Sequence, residues 1–173
     1  MSLTQISLLL FISMTGLDFL IGLIDNIKAR GGDTFKEDLG MAESSGNYDS
    51  EYESKKGKKY VGKWQFGAAR LEDFKKVNKK FKNLTMDQFK DSSSIQNEVW
   101  DWHIDDINSY IDSRELDRYI GTKLNGVEIT REGLIAGAHI GGRTGLKNFL
   151  TKGTEGTDEL GTTISDYIIK FSN

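Results

Sequence analysis

A chain of 173 residues fits one domain, large enough to bury about 70% of the surface its unfolded form exposes. A net charge of −3 excludes a broad electrostatic pull on nucleic acid, and the two runs Lys55 to Lys63 and Lys75 to Lys82 read as solvated basic faces. With no cysteine, thiolate catalysis, disulfides and cysteine metal sites are excluded, and the two histidines, His103 and His139, stand too far apart for a ligand-spaced zinc pair.

Leu3 to Ile24 is apolar and free of side-chain charge until Asp18. It lacks the basic start and small-residue cleavage site of a secretory signal. As a membrane span it is nearly long enough, but Asp18 would cost about 2.5–3.5 kcal/mol near a bilayer centre. Lys28 and Arg30 follow it, which in a spanning reading leaves the main domain in the cytoplasm. Leu17, Leu20, Ile21, Ile24 and Ile27 recur at helical spacing, which favours a core helix. Residues 1–30 are therefore set apart as an apolar helix, either core or a weak membrane anchor, ahead of a domain over residues 31–173.

Gly31-Gly32 ends that helix, and Thr34-x-x-Glu37 is a capping box for a second one through about Ala42. Glu43 then falls at the helix's C-terminal end, where the dipole disfavours a charged carboxylate. Residues 44 to 59 read as a long polar loop, a type often functional. Lys58 to Trp64 is a short strand or hairpin arm, and Ala68 to Val77 a helix. Thr85-x-x-Gln88 caps a short helix and Ser93-x-x-Gln96 a long one, carrying Ile95, Val99, Trp102, Ile107, Tyr110 and Ile111, with a stop near Gly121. Asn125-Gly126 marks a tight turn. Thr130 starts a helix that Gly141-Gly142 breaks, Gly145 to Leu150 is short and helical, and Gly161-Thr162 opens a last helix with Ile164, Tyr167, Ile168 and Phe171 on one side. The fold class is mainly α, an α+β arrangement with a minor β-hairpin.

Three segments carry chemistry. Cleaving a glycosidic bond needs a proton delivered to the leaving oxygen, which a carboxylic acid can supply. Met41-Ala42-Glu43-Ser44-Ser45-Gly46-Asn47-Tyr48 offers such an acid entering a small-residue turn, with Ser44 and Tyr48 as candidate substrate contacts. In Gly62-Lys63-Trp64-Gln65-Phe66-Gly67 the glycines permit close backbone approach, Gln65 offers donor and acceptor to hydroxyl or acetamido groups, and Trp64 and Phe66 serve sugar rings or the core. In Ala136-Gly137-Ala138-His139-Ile140-Gly141-Gly142 the small residues imply close approach by another helix or by a ligand, and His139 is either a structural hydrogen-bonder or a contact.

In this order the pieces resemble the lytic transglycosylase and goose-type lysozyme superfamily, over about residues 35 to 171. Glu43-Ser44 matches its Glu-Ser pair, Gly62-Lys63-Trp64-Gln65 its Gly-x-x-Gln segment, and Ala138-His139-Ile140-Gly141-Gly142, more loosely, its Ala-Tyr-Asn-x-Gly segment. The chain is most similar to phage-type, endolysin-like wall-degrading domains with a Gly-Lys-Tyr/Trp-Gln-Phe-Gly signature. The resemblance implies a lysozyme-like fold and a metal-free, cofactor-free peptidoglycan glycosidase. Its substrate is the β-1,4 bond between N-acetylmuramic acid and N-acetylglucosamine, and it works as a monomer in the bacterial envelope or periplasm. It implies Glu43 as general acid and then base, contacts from Gly141, and a late-helix Tyr167 bonded to the acid. Hydrolysis and anhydro-ring formation both stay open, with Asp49, Glu51 and Glu53 as carboxylates able to position water. His139 and Ile140 depart from the family's Tyr and Asn, which keeps a non-catalytic wall-binding or virion structural module as the alternative. A membrane-tethered interaction protein is the third reading.

Overall fold

The computed structural model describes residues 34–158 and 160–173. The expectations for Leu3 to Ile24, Lys28, Arg30 and Gly31-Gly32 lie outside the described residues. Leu39–Asn173 form one compact unit, and no described helix is long and apolar enough to cross a membrane.

The first helix among the described residues, α1, covers 34–44, so Glu43 stands in its last turn. Thr34 is itself helical, so it is not the cap that the Thr34-x-x-Glu37 reading makes it. Three short strands follow, β1 (Glu51–Glu53), β2 (Lys59–Val61) and β3 (Phe66–Gly67), in an antiparallel sheet of order β1-β2-β3. The segment 44–59 is thus not all loop. Tyr52 pairs with Tyr60 and Val61 with Phe66, so Glu51 and Glu53 lie on the sheet face opposite Tyr52.

The helices α2 (Ala68–Val77), α3 (Met86–Lys90), α4 (Ser93–Ser113), α5 (Arg131–Lys152) and α6 (Ile164–Lys170) complete the main frame. Thr85 closes a full capping box with Gln88 on α3. The cap of α4 is Ser92, whose hydroxyl accepts from the Ile95 N–H, not Ser93. Its buried face carries Gln96, Val99, Trp100, His103, Ile107 and Ile111, so Trp100 and His103 replace Trp102 on the inward side. A 3-10 turn, Leu116–Tyr119, ends before Gly121, and Asn125-Gly126 joins strands β4 (Lys123–Leu124) and β5 (Val127–Glu128). Both turn residues have positive φ, as a two-residue hairpin requires.

Thr130 caps α5, which kinks where Gly142 takes φ 71°. Gly133, Gly137 and Gly141 recur every four residues along one face of α5. A Cβ at Gly133 would strike Ser172 and the Ile168 carbonyl, and at Gly137 and Gly141 it would strike Ile168 and Ile164. The small residues of α5 therefore admit another helix, α6, at close range, and this contact aims Tyr167 back toward α1.

One buried amide ties the sheet to α4. Gln96, 0% exposed, accepts from the Lys63 N–H at 2.9 Å and donates to the Tyr48 and Lys90 carbonyls, each at 2.9 Å. Leucine at this position would leave three backbone groups without partners, at about 1–3 kcal/mol for each that stays buried. Gln96→Leu is expected to lower unfolding stability by roughly 3 kcal/mol in a urea titration.

Candidate functional site

The last turn of α1, the sheet, α5 at His139 and Ile140, and the segment ahead of α6 line a cleft of about 650 Å³ whose lining includes Glu43, Tyr52, Tyr60, Gln65, His139 and Asp158. A second hollow of about 440 Å³ shares Tyr60, Gln65 and His139 with it and continues toward Arg70, Arg143 and the Gly141-Gly142 kink. The two form a groove passing over His139.

Glu43 is largely enclosed, its side chain 12% exposed. Tyr167 donates its hydroxyl to Glu43 Oε1 at 2.6 Å, linking the helix end to α6 across 124 residues of sequence. Burial first, then the hydrogen bond to and charge of Glu43, push the Tyr167 phenol well above the ordinary tyrosine range. It is a permanent donor to that oxygen. His139 Nε2 lies 3.8 Å from the same Oε1, beyond hydrogen-bond range.

Behind His139 runs a chain of polar contacts through the core. His103 Nε2 meets His139 Nδ1 at 3.1 Å. Arg70 Nε donates to His103 Nδ1 at 2.7 Å, and its Nη2 to Asp106 at 2.6 Å. Arg143 holds the other Asp106 oxygen at 2.6 Å, while the Arg70 guanidinium stacks on Trp102 at 4.0 Å. Burial, then the charges of His139, Arg70 and Arg143, hold His103 well below the usual histidine value of 6.5. Burial also lowers His139, opposed by Glu43 and the Trp64 carbonyl, with Arg70 adding to the lowering. Both imidazoles are neutral near pH 7, and the sign of their effect on stability follows. Above pH 6.5 neither the folded nor the unfolded form is charged. As pH falls below 6.5 the unfolded chain takes up protons first, so folding stability declines. Melting temperature is expected to drop between about pH 7 and pH 5, and to drop less in a His103→Gln/His139→Gln double variant.

The other expected contacts have different surroundings. Ser44 Oγ binds the Lys63 carbonyl at 2.8 Å and also reaches the Gly40 and Asn47 carbonyls. It ties α1 to the turn after β2 and lines neither hollow. Tyr48 likewise braces the core: its ring meets Trp64 edge-on and its hydroxyl accepts from Asn97. Trp64 is wholly buried against Trp100, and Phe66 is buried between Phe89 and the two histidines, so neither is an open sugar platform, although Phe66 backs the second hollow. Gly62 takes φ 83°, and a Cβ there would strike Gln96; Gly67 is crossed by the Tyr60 ring. The close approach at both is made by the protein itself. Lys63 is buried with its ammonium over the Tyr48 and Trp64 rings, not on a solvated face. Gln65 stands at φ 49° in the turn, donates to the Gly62 carbonyl at 2.8 Å and lines both hollows. Gly141 lends backbone to the second hollow while packing on Ile164.

Protein-family models, curated proteins and solved structures were compared with this chain, and none matches.

Sequence reasoning missed several residues of the groove. Tyr52 and Tyr60 stack with ring centroids 6.2 Å apart and both line the cleft. Their alternation with glutamates in Glu51-Tyr52-Glu53 is the period-two signal of a strand, three residues long. Asp158 brings a second carboxylate to the lining, its Oδ1 accepting from the Leu160 and Thr162 N–H groups at 2.8 Å each. The expected water-positioning carboxylates are elsewhere: Glu51 is paired with Lys59 and Lys90, and neither Asp49, Glu51 nor Glu53 lines the cleft.

Proposed function

We propose that this protein is a glycosidase of the peptidoglycan glycan strand, with a lysozyme-like fold and Glu43 as general acid and then base. The observation that carries the reading is one enclosed carboxyl group, held from behind by a tyrosine hydroxyl, at the wall of a cleft sized for sugar rings. The resemblance of Glu43-Ser44 and Gly62-Lys63-Trp64-Gln65 to the transglycosylase and goose-type lysozyme pattern supports the same substrate, the bond between N-acetylmuramic acid and N-acetylglucosamine.

Glu43 gives its proton to the bridging oxygen as the bond from the muramic C1 to that oxygen breaks. Tyr167 occupies Oε1, which leaves Oε2 to face the substrate. The stacked Tyr52 and Tyr60 supply flat apolar surface and hydroxyl groups along the groove, and Gln65 supplies amide contacts. The charge neighbours of Glu51, the opposite sheet face of Glu53 and the two backbone donors on Asp158 favour closure by the sugar's own 6-hydroxyl. Its oxygen attacks C1 and its proton returns to Glu43, giving an anhydro ring. The envelope is then the site of action.

The test incubates purified sacculi with the protein and analyses soluble fragments by mass spectrometry. Anhydro-muropeptides are the expected products. Reducing-end fragments would replace ring closure by a water step. Sedimentation of the protein with sacculi without any released fragment would overturn the enzymatic reading in favour of a wall-binding module.

A further inference from the structure

The polar chain behind the cleft has a direction, set at the end far from Glu43. Arg70 keeps its protons at neutral pH, so its Nε can only donate. His103 Nδ1, 2.7 Å away, must therefore be an acceptor. A neutral imidazole carries one N–H, so the His103 proton sits on Nε2 and is donated to His139 Nδ1 at 3.1 Å. The same step repeats: His139 accepts at Nδ1, so its proton sits on Nε2, the atom nearest Glu43. The opposite arrangement would require His103 to accept at both nitrogens, which a neutral ring cannot do. Asp106 holds Arg70 in place and is itself gripped by Arg143, so the order starts in an ion-paired cluster on α2, α4 and α5.

We propose that Arg70, acting through His103, fixes His139 as a neutral imidazole with its proton on Nε2, and that this N–H positions a substrate oxygen beside Glu43. The groups around the His139 ring agree with a donor at that place. Glu43 and the Trp64 carbonyl are acceptors, the Phe66 ring packs edge-on, and the groove opens past Ile140. At 3.8 Å the Nε2 to Oε1 gap is too long for a direct bond, and a substrate oxygen poised beside it can accept from the His139 N–H while Tyr167 keeps Oε1. In an amino-sugar strand the matching acceptor is an acetamido carbonyl or a ring-substituent oxygen. Arg70 and His103 are positioning residues, and only His139 touches the substrate. The positioning half rests on the glycan reading above; the proton order does not.

Nitrogen-15 correlation spectra of the imidazoles read the proton positions directly, and two histidines make assignment by single substitution simple. Between pH 6.5 and 8, both rings are expected to show a protonated Nε2 and an unprotonated Nδ1. A proton on Nδ1 of either ring, or a charged ring, would overturn the relay whatever the activity. Arg70→Met should leave the circular dichroism unchanged, mix the His139 tautomers and lower kcat for glycan cleavage by about tenfold, one neutral hydrogen bond's worth. His139→Gln, which keeps an N–H donor, should retain more activity than His139→Leu at equal melting temperature. Equal activity of those two variants would overturn the positioning role. Absence of cleavage by the unaltered protein would overturn that role together with the glycan reading, while the spectra still decide the relay.

Discussion

Glu43→Gln is expected to lower glycan cleavage by about 10²–10⁴-fold, the range for loss of a general acid–base group, while sacculus binding and melting temperature hold. The amide has the carboxyl's shape and still offers an oxygen to the Tyr167 hydroxyl, now 2.6 Å from Oε1. What it lacks is a transferable proton. Tyr167→Phe removes the donor that orients the acid and should cost less, about tenfold. Because both changes act on one carboxyl group, the double variant should be no slower than Glu43→Gln alone. Initial rates of fragment release from sacculi measure all three. A Glu43→Gln protein as fast as the unaltered one would remove Glu43 from the chemistry and leave its enclosure as a packing fact.

Much of the chain's local structure was legible because its signals are local. Thr85 and Thr130 sit before their helices with side-chain oxygens on the backbone N–H three residues on, and Asn125-Gly126 turns as its φ preferences dictate. The place of Glu43 at a helix end was readable in the same way. The surroundings of the site were not, because they are made by long-range contacts. His103 and Arg70 are 33 residues apart, His103 and His139 36, and no spacing rule joins them. Trp64 and Phe66 look the same in sequence whether they face sugars or the core. The turn geometry decides: with Gly62 and Gln65 both at positive φ, the intervening Trp64 is turned inward under the sheet, and the tyrosines of β1 and β2 take the groove. Glycine spacing on α5 was equally ambiguous between a ligand and a helix until Ile164 and Ile168 were seen against it.

That inward turn makes Trp64 a stability residue, and Trp64→Ala should lower unfolding free energy by about 3–5 kcal/mol, as for other large aromatic truncations in cores. Its side chain is 0% exposed, stacks on Trp100 at 4.7 Å with a 27° interplanar angle, and receives the Tyr48 ring edge-on at 5.8 Å. The Lys63 ammonium lies 5.3 Å from its centroid. Truncation would open a cavity bordered by two aromatic rings and a buried cation, in a place where the turn between β2 and β3 cannot collapse without breaking the Lys63 bond to Gln96. At about 2–4 °C per kcal/mol for a domain of this size, melting temperature should fall by roughly 10 °C. Trp64→Phe, which keeps a ring, should fall by less. A sugar platform would behave in the opposite way, with melting unchanged and KM for glycan raised. Thermal melts and cleavage kinetics on the same two variants therefore separate core from groove, and a Trp64→Ala protein that melts like the unaltered one would return this side chain to the substrate.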